Sequence, residues 1–466
     1  MTDVKIGLET HVQLDTNTKL FCGCPNEEAE EPNTHVCPIC LGHPGSKPQL
    51  NKKVLEEAVK VSKSLNCDIN DDIFFSRKTY FYPDMSKNYQ ITQYEIPVGE
   101  DGEVEVGTDE GSRDIGITRI HIEEDPAKTE HVGGDIGDSD YSLVDYNRAG
   151  TPLLEIVTEP DFRSPEEARA YLQKLAQMLQ YLEVYYPESS FSIKSDANLS
   201  INGGEKVEVK NITGTSEVEN ALKHELKRQK RAVENGKTVS QHTRSYDADQ
   251  QITRKMREKE TEEDYGYIFD PDLTRQELDE VEQGIDIPEL PHEKAIRFRQ
   301  DYELEQKLVE SLIAEKALAE DFEDLADEHD PELVASWMTG ELKKTLNYNE
   351  LSYAEAGLET AWMKYVIDLL EKDDISDRNA EEVLRTIVDD PQHPEEVVEE
   401  QDLLKAGDDE VDSVVESVIE ENPDAVDDYE NGDDGAINFL VGQVMQESGG
   451  KADPKEAREK ILEKIE

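Results

Sequence analysis

Val4-Lys5-Ile6-Gly7-Leu8-Glu9-Thr10-His11-Val12-Gln13-Leu14 alternates with period two. Successive side chains of a strand point to opposite faces, so Ile6, Leu8, Thr10, Val12 and Leu14 form one row and Lys5, Gly7, Glu9, His11 and Gln13 the other. The first row asks for a core. The second puts a carboxylate and an imidazole on one face, which is how a metal or a phosphate–metal complex is held, although such a pair taken alone is more often solvent-facing.

Other stretches extend this pattern. Residues 115–122 and 153–157 read as strands, and 191–201 and 207–212 as an antiparallel pair across the Asn202-Gly203-Gly204 turn. Amphipathic helices are expected over 52–65, over 165–184 (Ser164 as N-cap, Pro165 first, Glu167 in the capping box) and over 216–234. Past the proline-bracketed 287–292 everything reads as helix, over 294–326, 331–346 and 353–371, with a last apolar helix at 438–445. The expected fold class is α+β. A cradle with a mixed or antiparallel sheet and a zinc-binding loop at 22–40 spans 1–290, followed by an all-α domain at 291–407 and a small helical tail at 408–466.

Acidic residues number 109 against 49 basic ones, a net charge of -60, yet 36% of residues are hydrophobic and fall in periodic segments. The chain should therefore fold, and the balance fits an acid-coated protein from a molar-salt cytoplasm, where screening acts over a few ångströms. The sequence carries no charged leader before an apolar run and no apolar stretch of membrane-spanning length, so a cytoplasmic protein with no membrane partner is expected.

Chemistry-bearing residues gather in a few places. Cys22, Cys24, Cys37 and Cys40 make two close pairs, the spacing of a structural zinc site, whereas Cys67 reads as a small core residue. Residues 77–94, RKTYFYPDMSKNYQITQY, mix cations, hydroxyls, amides and aromatics with little aliphatic content. There Lys78 can hold phosphate, Asp84 a cation or a hydroxyl proton, and Tyr80 and Tyr82 a base or sugar. Glu123-Glu124-Asp125 ends a strand, and Glu155 interrupts an apolar one; a magnesium shared by His11, Glu124 and Glu155 would supply the partner a buried carboxylate needs. Asp196, Lys210 and Asn211 have the inventory of a nucleotide or magnesium site. Lys223, Lys227, Arg228 and Arg231 share a helix face and are candidates for contact with a polyanion, or for pairing with local glutamates.

Taken together, residues 6–14, 77–84, 89–93, 120–125, 145–157 and 439–443 resemble, in order and spacing, the GatB/GatE family, the B subunits of aspartyl/glutamyl-tRNA amidotransferases and their relatives. The resemblance implies the three-part fold above and an ATP-dependent ligase. The side-chain carboxylate of Asp or Glu misacylated on tRNA is phosphorylated, and ammonia displaces the acyl phosphate to give Asn-tRNA(Asn) or Gln-tRNA(Gln). It implies ATP, Mg2+ and structural Zn2+ as cofactors. As partners it implies misacylated tRNA and two further amidotransferase polypeptides, the glutaminase (A) subunit and the clamping (C) subunit. Glu9, His11, Lys78, Glu124 and Glu155 would be catalytic, with Glu124→Ala expected to abolish amidation. The absence of a G-x-x-x-x-G-K-[ST] loop excludes P-loop nucleotide binding, and no serine-nucleophile elbow is present. The chain departs from the family at 212–215 and 264–271. A non-catalytic zinc-containing tRNA-binding scaffold is the alternative.

Overall fold

The computed structural model describes residues 3–108, 111–133, 139–186, 193–257, 266–405, 407–430, 435–449 and 451–465. The expected strand start at 191–192, the departures at 264–265 and Ala406 in the acidic joint lie outside them, as does the side chain of Asn211. Contacts divide the chain into two compact units, Met1–Leu290 and Pro291–Glu466.

The first unit is built on a nine-stranded sheet. Its strands in chain order are β1 (Val4–Gln13), β2 (Asp68–Ile69), β3 (Gly99–Thr108), β4 (Gly111–Glu124), β5 (Pro152–Thr158), β6 (Ile193–Ile201), β7 (Val207–Thr213), β8 (His242–Asp247) and β9 (Ile252–Arg257). They lie in the order β9-β8-β7-β6-β1-β5-β4-β3-β2, antiparallel except for β7 against β8. β1 is thus interior, paired on both sides. Its Ile6, Leu8 and Val12 are buried in one core with residues of α1 (Lys52–Ser64), α2 (Pro165–Tyr181) and α3 (Thr215–Glu234). Each such aliphatic side chain contributes about 1.5–3 kcal/mol on burial. Ser164 caps α2 by accepting from Glu167 N at 3.1 Å, and Glu167 reaches back to Arg163 N at 2.6 Å.

The central stretch at 77–94 forms a separate small sheet, Gly266–Phe269 pairing with Ser76–Thr79 and that with Tyr89–Thr92. The second unit is helical. The three long helices expected there are broken: the first into Pro291–Asp301, Gln306–Leu312 and Lys316–Ala326, the second by a π turn at Met338–Leu342. The third begins only at Thr360, after a segment in which Gly357 takes φ +60°. Residues 411–461 contribute a separate apolar cluster around Val415, Ile437, Leu440 and Ile461. Among the described residues no helix is long and apolar enough to cross a membrane.

Candidate functional site

The polar row of β1 organises the site, because residues directly opposite one another in an antiparallel pair share a face. His11 faces Glu155 on β5 and Lys194 on β6, and Glu9 faces Asp196. One strand further on, Glu155 faces His121 on β4. His11 Nε2 lies 3.4 Å from Glu155 Oε2 and 3.6 Å from Glu123 Oε1, and His121 Nε2 lies 3.3 Å from the same Glu155 oxygen. His11, Glu123 and Glu155 bring their ligand atoms within 4.8 Å of one another. Burial opposes charge on all three. Even so, the two histidines hold Glu155 well below the usual carboxylate range, and hydrogen bonding to Glu155 with the charges of Glu155 and Glu123 pushes His11 up to about 10. Glu123, desolvated and beside Glu155, is raised.

A second cluster lies beside Glu9. Glu9, Asp196 and Glu208 bring carboxylate oxygens within 4.8 Å, and Lys210 Nζ sits 2.9 Å from Asp196 Oδ2 and 3.6 Å from Glu208 Oε1. Asn198 donates to Glu9 Oε1 at 2.9 Å. Burial, then the charges of Glu155, Asp196 and Glu208, raise Glu9. Burial alone would lower Lys210, but Asp196 and Glu208 hold it above its ordinary value. A cavity of about 280 Å³ opens here, lined by Lys5, Gly7, Glu9, Val157, Pro160 and Lys206 among others.

The four sulfurs of Cys22, Cys24, Cys37 and Cys40 also lie within 4.8 Å of one another. Four such donors suit tetrahedral zinc and leave no open position, so a metal there would hold the loop. The loop is tied to neighbouring segments. Ser86 Oγ donates to Cys40 O at 2.7 Å, and Lys19, 1% exposed, donates to His35 O at 2.8 Å and Tyr146 O at 3.2 Å. Gly150, at φ +89°, lets the neighbouring turn accept from Leu20 N while donating to Asp125 O.

Residues 4–282 match the model of the GatB/GatE catalytic domain, and residues 320–465 that of the GatB domain. The chain belongs to the GatB/GatE family. Among similar proteins are those named as the B subunit of aspartyl/glutamyl-tRNA(Asn/Gln) amidotransferase from Haloquadratum walsbyi, 45% identical over 479 residues (99% of this chain, 97% of the relative), and from Natronomonas pharaonis, 46% identical over 481 residues (99% and 97%). The protein of the same name from Methanospirillum hungatei is 44% identical over 457 residues (96% and 95%).

Within the GatB/GatE catalytic region the structure gathers Glu9, His11, Glu155, Asp196 and Lys210 on this sheet face, whereas Lys78 lies on the small separate sheet and Tyr80, Tyr82 and Asp84 in the loop after it. One expectation is corrected. Glu124 does not meet His11 and Glu155. Ile120, Ile122 and Glu124 share one face of β4 while His121 and Glu123 share the other, so it is Glu123 that closes the histidine cluster. Glu124 instead accepts from Lys87 Nζ and from Ile91 N at 2.9 Å, and is 3% exposed. Sequence reasoning also missed His121, Glu208 and Lys194, although alternation along β4 and β7 signals the first two. Lys78 reaches the cluster through its charge on Glu123. Tyr80 is half-buried, Tyr82 is exposed, and Asp84, raised by burial, lies near Arg148 and Asp125. On α3, Lys223 pairs with Glu166 at 2.9 Å and with Glu219, and Arg228 pairs at 2.6 Å with the fully buried Glu225. Those two are occupied within the fold; Lys227 and Arg231 are exposed.

Proposed function

We propose that this GatB/GatE chain is the component of a tRNA-dependent amidotransferase that activates and amidates the side-chain carboxylate of aspartate or glutamate misacylated on tRNA. The overall reaction is carbon–nitrogen ligation with glutamine as amido donor. The observation that carries the reading is the pair of cation-ready clusters, Glu9/Asp196/Glu208 and His11/Glu123/Glu155, one side-chain step apart on β1.

Phosphoryl transfer to a carboxylate needs positioning and charge neutralisation more than covalent help. The substrate carboxylate oxygen attacks the γ-phosphorus of ATP and ADP leaves. Ammonia then adds to the acyl carbon, loses a proton, and inorganic phosphate departs with its bonding pair. Glu9, Asp196 and Glu208, with Lys210 beside them, would hold the triphosphate end through Mg2+, and the cavity lined by Lys5 and Lys206 would take the nucleoside. His11, Glu123 and Glu155 offer one imidazole and two carboxylates, a set that fits a divalent ion with positions left for substrate oxygens. Mg2+ there would supply Lewis-acid neutralisation. Lys78 adds a fixed positive charge at Glu123, and His121 holds Glu155 ionised and oriented. Zn2+ on the four cysteines would be structural.

In this reading ammonia comes from the glutaminase (A) polypeptide, joined through the clamping (C) polypeptide, in the cytoplasm. Lys227 and Arg231 on α3, together with a tail domain at 408–466 following a helical domain at 291–407, would meet the tRNA. The net charge of -60 and the haloarchaeal relatives favour a halophilic source. The test is amidation of Asp-tRNA, and separately of Glu-tRNA, by the assembled enzyme in high potassium chloride with ammonium chloride as nitrogen donor. Product that requires ATP and disappears in Glu123→Gln supports the reading. Binding of tRNA with no product from either substrate would favour the scaffold alternative.

A further inference from the structure

The substrate of the reaction proposed above arrives on a tether, because its reacting carboxylate belongs to an amino acid esterified to the last ribose of a single-stranded 3′ end. The terminal nucleoside must therefore rest beside the histidine cluster. The small three-stranded sheet stands there. Lys78 lies directly opposite Tyr267 on one neighbour and Gln90 on the other, so the three share a face. That face is turned to the site: Gln90 Nε2 donates to Glu124 O at 2.7 Å, and the Lys78 charge acts on Glu123.

On the same face Tyr267 stacks on Tyr94, with ring centroids 4.0 Å apart and planes 19° from parallel. Tyr94 is 37% exposed, and the loop following Lys78 presents Phe81 at 83% and Tyr82 at 40%. Arg77, on the opposite face, is tied to Asp270 at 2.9 Å and Asp272 at 3.1 Å, so the two faces differ in kind. A core needs aromatic pairs that are covered, as Phe21 and Phe75 are. A partly open tyrosine stack next to a lysine suits a flat, anion-bearing ligand.

We propose that the Tyr94–Tyr267 stack, with Lys78 beside it, seats the terminal adenine of the aminoacyl-tRNA. This rests on the amidotransferase reading, since an aminoacyl-tRNA is what brings a nucleobase to this edge. The adenine of ATP is assigned elsewhere, to the cavity beside Glu9. Stacking also survives salt that screens phosphate contacts, which matters for a chain of net charge -60.

The probe is a tRNA whose terminal adenosine is replaced by 2-aminopurine riboside, which loses fluorescence when it stacks, added to the assembled amidotransferase. The wild type quenches the probe. Tyr94→Ala and Tyr267→Ala each lose most of the quench and raise KM for Asp-tRNA about tenfold or more, with KM for ATP unchanged. Tyr94→Phe and Tyr267→Phe keep both, because the ring remains; Tyr94→Leu, which keeps apolar packing without a stacking face, behaves like Tyr94→Ala. Unaltered quenching in the alanine variants, no quenching in the wild type, or phenylalanine variants as impaired as alanine ones would overturn the assignment. Quenching does not depend on turnover. An enzyme that quenches through these tyrosines but never amidates contradicts the functional reading alone, whereas one that amidates without tyrosine-dependent quenching contradicts the stack alone.

Discussion

The histidine cluster and the lysine cluster sit one side-chain step apart on β1 and share the face of one sheet, yet they are prepared differently. His11 and His121 converge on Glu155 and keep it ionised, leaving neighbouring Glu123 as the raised carboxylate. In the other cluster Lys210 lies near both Asp196 and Glu208, while burial and then three like charges raise Glu9. The first is a mixed set of imidazoles and carboxylates; the second sets three carboxylates around one lysine. The function proposed above would give the two clusters two jobs, activation of the acyl carboxylate and custody of the nucleotide.

Substitutions can break that division. Glu123→Gln should lower kcat about a thousandfold, on the order of 4 kcal/mol of lost transition-state stabilisation, with little change in melting temperature. Equal loss in Glu124→Gln, with folding intact, would mean that the neighbouring residues are not distinguished as their side-chain directions require. Glu124→Ala should act on stability, because it strands Lys87 in a buried position, at a cost of about 3–5 kcal/mol read in thermal unfolding in molar potassium chloride. Asp196→Asn should raise KM for ATP about tenfold with a smaller effect on KM for Asp-tRNA, on the order of the 1.4 kcal/mol that tenfold represents. A larger effect on tRNA than on ATP would exchange the two roles.

Glu57 sharpens the comparison from outside. It is 1% exposed, has Lys53 at 3.4 Å, and burial pushes it up to about 7 from the ordinary 4.5 of a glutamate. The folded state thus holds the proton more tightly than the unfolded chain, so stability falls as pH rises from about 4.5 to about 7 and stays reduced above that. Glu57→Gln should stabilise the fold at pH 8, by at most about 1–3 kcal/mol read as a higher melting temperature, and change little at pH 4. A gain of the same size at both pH values would show that its charge is not the cause.

Much of the site was legible because β1, β4 and β7 alternate. Glu124 follows the same rule: Ile120 and Ile122 assign residue 124 to the apolar face, and His121 points with Glu123. Glu208 follows from Lys210 by the same count. The tyrosine stack was not legible, since Tyr94 and Tyr267 meet only when a strand far downstream pairs beside Lys78. In the helical half, periodicity gave the apolar stripes but not the breaks, because stretches such as 302–305 keep the pattern while the backbone turns; Glu303 takes φ +55°.

β1 works as a reading frame. Its even-numbered residues spell the core and its odd-numbered ones the site, so one inserted residue would exchange the two messages along the rest of the strand. Drift that loosened the polar row would then also expose Leu8 and Val12 to water. Loss of activity by slippage and loss of the fold are one event here, and the chemistry inherits the durability of the core.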